Sequence, residues 1–143
     1  MGGGVSRPRY DDLQGGLLNI YHITPRKDWI DATRKGSYAA PSLASEGFIH
    51  CSTAAQLLPV ARQFYRGQSG LVVLVIDTRK LACPVRWEHS APPEGISEGA
   101  TFPHVYGPIS LDAVVQTLDF EPNGDGEFKL PPLPSEQVAA DRP

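Results

Sequence analysis

Residues 71–76 read LVVLVI, a continuous apolar run that Asp77 ends. Six apolar, mostly β-branched residues with no polar alternation suit a strand buried on both faces. Such a strand belongs at the centre of a sheet, so the rest of the chain must supply its neighbours and the layers that cover it.

Working outward, Leu17–Ile23 alternates enough for a first strand. Thr24 and Pro25 then suit an N-cap and the first position of a helix. That helix is expected over Lys27–Lys35, with Trp29, Ile30 and Thr33 on or near its inner face and Gly36 just past its end. Ser37–Ser45 reads as a loop holding at most a short strand at Ser37–Ala40, and Phe48–Cys51 as a second strand. Ser52 or Thr53 can cap a helix over 54–65, whose apolar face would use Leu57, Val60, Ala61 and Phe64. Pro59 predicts a kink or break near Leu58.

Downstream of the central run, Val85–His89 is a short strand and Ser90–Ala100 a loop long enough to be functional. Phe102–Tyr106 is strand-like, but Pro103 assigns it to an edge or a strand start. Ala113–Phe120 closes the domain. Helices early and strands late argue for an α+β fold, not a doubly wound sheet.

The chain has 143 residues, 41% of them hydrophobic, which suits one globular domain. Residues 17–120 carry the periodic patterns. Residues 1–16 are expected to be a flexible extension and 121–143 a Pro-rich tail. A net charge of −3 gives no general field for nucleic acid or anionic lipid, and no apolar run has membrane-spanning length. Two cysteines, Cys51 and Cys83, fit a reduced, cytoplasmic protein without a disulfide framework. MGGGVS at the start matches a myristoylation pattern, although a Gly-rich flexible start has the same letters.

Two short motifs carry chemistry: IYHIT at 20–24 and GFIHCST at 47–53. Residues two apart on a strand share a face. His22 therefore pairs with Thr24, and His50 with Ser52, while Cys51 points the other way. Each motif ends a strand beside an expected helix start, where free N–H groups can meet an anion. If the strands are neighbours, two imidazoles and two hydroxyls converge. Further on, Arg86 and Glu88 share a face in VRWEH, and Phe102, His104 and Tyr106 share one in FPHVYG. The competing reading is structural: Thr24 and Ser52 are good caps, and core histidines are commonly satisfied by backbone carbonyls. No H-x-x-x-H or C-x-x-C spacing is present, so no metal is expected.

IYHIT, GSY, GFIHCST with Gln56 following, VRWE and FPHVYGPISLDAV together resemble a small family, domain of unknown function 952, over about residues 18–120. That family is placed with the ADP-ribosyltransferase-like folds. The resemblance implies a split, mostly antiparallel sheet with two to three flanking helices and a central cleft that holds NAD. By the same resemblance, His22 matches a histidine that contacts the NAD ribose. His50 is the candidate beside the nicotinamide. Glu88 is the candidate carboxylate, outside any recognisable transferase motif, with His104 or Tyr106 as the alternative occupants of its place. The expected catalytic set is His22, His50, Glu88 and His104. The expected binding set is His22, Thr24, Tyr38, Ser52 and Tyr106. A two-histidine phosphoesterase, with one imidazole as base and one as acid, is the alternative enzyme. A non-catalytic binding protein is the remaining one.

Overall fold

In the computed structural model, which describes residues 18–134, the chain runs β1 (Asn19–Pro25), α1 (Arg26–Lys35), β2 (Ser37–Tyr38), α2 (Pro41–Glu46), β3 (Ile49–His50), α3 (Ala54–Phe64), β4 (Leu71–Asp77), β5 (Val85–His89), β6 (Thr101–Val105), β7 (Ile109–Ser110) and β8 (Val114–Phe120). The fold is α+β, and every strand pair is antiparallel. The myristoylation-like start and the proposed extension at 1–16 lie outside the described residues, as does the last part of the proposed tail.

β4 is the middle strand of a sheet ordered β1-β4-β8, and all of its residues are buried. Val72, Leu74 and Ile76 face one core, with Ile20, Ile49, Val105 and Ile109. Leu71, Val73 and Val75 face another, with Leu57 and Ala61 of α3, Phe120 and Phe128. Two apolar layers explain the absence of alternation in LVVLVI. Each of these Val, Leu, Ile and Phe side chains gains roughly 1.5–3 kcal/mol from burial.

A second sheet is ordered β3-β6-β5, and β2 pairs with β7. The two larger sheets meet at one point. The Cys51 N–H donates to the Pro103 carbonyl at 3.0 Å, and the next residue, Ser52, exchanges backbone hydrogen bonds of 2.8 and 2.9 Å with Tyr21 of β1. The stretch from Ile49 to Ser52 thus crosses from one sheet to the other, and a cleft opens at this seam.

Several local expectations give way to tertiary context. Thr24 does not cap α1. It stays in β1, paired with Val72, and Pro25 takes the cap position without a side-chain bond. In α1 the buried residue is Ala32, whereas Ile30 is 41% exposed and Thr33 is exposed too. The helix approaches the core through a small side chain, with Trp29 packed at its edge.

The loop at Ser37–Ser45 contains α2. Pro41 opens this helix at its first turn and Gly47, at φ 92°, closes it. With six residues and none of them buried, it has no apolar stripe to reveal it. Thr53 caps α3 in a reciprocal capping box with Gln56, leaving Ser52 to the sheet.

α3 runs unbroken through Pro59. The carbonyl that loses its helical partner belongs to Ala55, which is exposed to water. Phe64 is 64% exposed, so the inner face of α3 is Gln56, Leu57 and Ala61 instead.

Pro103 lies in the central strand of its sheet, not at an edge. Its nitrogen and carbonyl face β3, where the Cys51 N–H bonds the Pro103 carbonyl, so the proline removes only the return bond at the very end of the β3–β6 pairing. Packing also continues beyond 120: Phe128 stacks on Phe120 at 4.5 Å, Arg66 pairs with Glu127, and Glu121 accepts from the Gly70 N–H.

Candidate functional site

The cleft at the seam is a cavity of about 580 Å³. Its polar floor comes from β1 and β2. His22 and Thr24 share the inner face of β1, as strand geometry requires, and Tyr38 of β2 reaches both. The Tyr38 hydroxyl lies 2.7 Å from His22 Nε2 and 2.9 Å from Thr24 Oγ1. His22 Nδ1 lies 2.6 Å from the backbone carbonyl of His50.

A carbonyl only accepts, so the proton of neutral His22 sits on Nδ1. Nε2 is then an acceptor, and the hydroxyl chain runs from Thr24 to Tyr38 to His22. Burial, with a smaller repulsion from His50, lowers the His22 pKa to about 4, and burial pushes the Tyr38 phenol well up. The whole chain is neutral at pH 7.

His50 and Ser52 also line the cavity. The His50 imidazole is half exposed and meets Glu46 at 3.1 Å. The capping box of α3 engages the Gln56 N–H and the Thr53 N–H, which removes two donors that an anion at this helix start would need.

A second polar cluster adjoins the first, on the face of the sheet ordered β3-β6-β5 opposite Ile49 and Val105. Glu88 Oε1 accepts from the Tyr106 hydroxyl at 2.6 Å and from His104 Nδ1 at 2.7 Å. These two donors, Tyr106 first, hold the Glu88 carboxyl below its ordinary range. Phe48 stacks on the His104 ring at 4.0 Å, and the Arg86 guanidinium sits 4.7 Å over the Tyr106 ring. His104 is buried, and its Nε2 points to Ser90 Oγ at 3.4 Å. Ser90 lines the cavity.

Residues 23–117 match the family described as Protein of unknown function (DUF952). The chain belongs to that family. This DUF952 protein is also similar to protein CC0527 from Caulobacter crescentus. In the CC0527 crystal structure the likeness has a TM-score of 0.68 at 33% identity, covering 78% of this chain and 94% of that one. In the CC0527 solution NMR structure the TM-score is 0.66 at 32% identity, covering 79% and 93%. No curated protein matches the chain.

The DUF952 fold thus brings His22, Thr24, Tyr38, His50 and Ser52 to one cavity. Glu88, His104 and Tyr106 form their own cluster, which meets the first through the His50 and His104 rings, 5.3 Å apart. Among the described residues, no group of three or more His, Cys, Asp or Glu side chains is placed to hold a metal ion, and no helix is long and apolar enough to cross a membrane. Two participants were missed in the sequence. Phe48 carries no signal of its own. Ser90 did carry one: it lies two residues beyond Glu88, on the same face.

Proposed function

We propose that this DUF952 protein binds the nucleoside end of a small nucleotide, with NAD the first candidate, in the cavity at the sheet seam. The observation that carries the reading is the convergence of His22, Thr24, Tyr38, His50 and Ser52 on one cavity of about 580 Å³, a size ordinary for ligand sites. Ribose hydroxyls would meet the polar floor, and a base or nicotinamide ring would lie against Val60, Phe64 and Phe102. No lysine or arginine lines the cavity among the described residues, so the phosphates would project toward solvent.

The reading is one of binding more than of ADP-ribosyl transfer. Glu88, the candidate for stabilising a ribose cation, does not line the cavity and is already engaged by Tyr106 and His104. The two-histidine phosphoesterase reading also loses support, because both ring nitrogens of His22 are taken within the protein. NAD and adenosine titrations followed by NMR test the proposal. Shifts at His22, His50 and Ser52 with either ligand are expected. Their absence at millimolar concentration of both would overturn it.

A further inference from the structure

Ser90, His104 and Glu88 stand in series. The Glu88 carboxylate accepts from His104 Nδ1 at 2.7 Å, which places the ring proton on Nδ1 and leaves the lone pair on Nε2. That lone pair faces Ser90 Oγ at 3.4 Å. The spacing is longer than a tight hydrogen bond, as catalytic contacts often are before a ligand closes the site. The three residues come from the adjacent strands β5 and β6 and the residue just after β5, so the sheet fixes their separation.

Their surroundings differ in the way nucleophilic catalysis needs. The His104 ring is buried under Phe48, so its tautomer and orientation are locked. Ser90, by contrast, opens into the cavity. Tyr106 donates to the same Glu88 oxygen and holds the carboxylate in place. Carboxylate, imidazole and hydroxyl in this order recur on unrelated folds and are recognised by geometry, not by chain order.

We propose that Ser90 is a nucleophile toward uncharged acyl esters bound in the cavity, with His104 as its base and Glu88 as a positioning residue. The cavity wall beside Ser90 is apolar, formed by Ala91, Pro93 and Phe102, which selects an acyl chain over a charged group. Ser90 Oγ attacks the ester carbonyl carbon and its proton passes to His104 Nε2. The ester C–O bond breaks, and that proton leaves with the departing alcohol. Water, deprotonated by His104, then attacks the acyl carbon, releasing the carboxylic acid and restoring the serine hydroxyl. This proposal does not rest on nucleotide binding, and failure of the NAD and adenosine titrations leaves it standing.

The test is covalent labelling of the full chain with an alkyl fluorophosphonate, read by peptide mass spectrometry. Ser90 Oγ displaces fluoride from phosphorus, so one phosphonyl group on the Ser90 peptide is expected. S90A should abolish the label, and H104Q should slow it roughly 10²–10⁴-fold. E88Q should slow labelling, and E88D, which keeps a carboxylate, should recover part of the rate; a merely structural Glu88 would leave the labelling rate of a folded E88Q chain unchanged. S90A and E88Q decide the proposal whether or not H104Q folds, since neither removes a buried ring. Absence of label on the native chain, label surviving S90A at an unchanged rate, or a folded E88Q chain labelled at the native rate would overturn it.

Discussion

The Nδ1 of His22 lies 2.6 Å from the backbone carbonyl of His50, 28 residues away along the chain. One histidine motif therefore holds the other in place by its backbone. Tyr38 continues the chain on the far side of the ring, at 2.7 Å. Replacing Tyr38 by Phe leaves His22 Nε2 buried without its donor and Thr24 without its acceptor. The expected loss is about 1–3 kcal/mol of unfolding free energy, read by urea titration. A loss under about 0.3 kcal/mol would show that water replaces the hydroxyl.

The same histidine sets a pH dependence. Its ordinary pKa of 6.5 falls to about 4 in the fold, chiefly through burial. Between those values the unfolded chain binds a proton that the folded chain does not. The stabilisation is therefore fully present above about pH 6.5, declines as pH falls toward 4, and changes no further below that. The span corresponds to about 3 kcal/mol. Urea curves from pH 7.5 to 4.5 should show this decline, and H22N should flatten it. Equal slopes in the two proteins would refute the assignment to His22.

Pro59 sits inside α3 and denies the Ala55 carbonyl its helical donor. Pro59→Ala restores that bond while giving freedom back to the unfolded chain. A net gain of about 1–2 kcal/mol is expected, seen as a higher Tm. A lower Tm would mean that the proline ring is needed for packing, as its position near Gly95 allows.

Phe128 and Phe64 make an internal comparison. Phe128 is buried and stacked on Phe120, whereas Phe64 is largely exposed at the cavity rim. Phe128→Ala should cost about 3 kcal/mol, and Phe64→Ala no more than about 0.5 kcal/mol. Similar values for the two would show that residues 121–134 are not part of the cooperative unit.

Much of the fold was legible because it is local. LVVLVI announced a doubly covered strand, and Gly36 ended α1 where a left-handed residue was expected, at φ 98°. Strand periodicity correctly joined His22 with Thr24 and gave Cys51 to the core. Where local rules failed, a distant partner had overridden them. Thr24 was drawn from a cap into a strand by Val72 and Tyr38. Pro103 was allowed a central strand because β3 departs beside it. α2 escaped notice because a short helix without a buried face leaves no periodic mark.

The α+β class, the buried central strand, and the chemical inventory of histidines, hydroxyls and one carboxylate follow from local pattern alone. Side-chain direction alternates every residue along a strand, so which groups share a face is written in the spacing. Which faces meet is not. That Tyr38 would close on His22, that Glu88 would turn to His104 and Tyr106, and that Ser90 would stand at the cavity edge behind His104 depends on contacts 14–18 residues apart in the chain. Such contacts are fixed by the packing of β-sheets against shared cores, which no local spacing encodes.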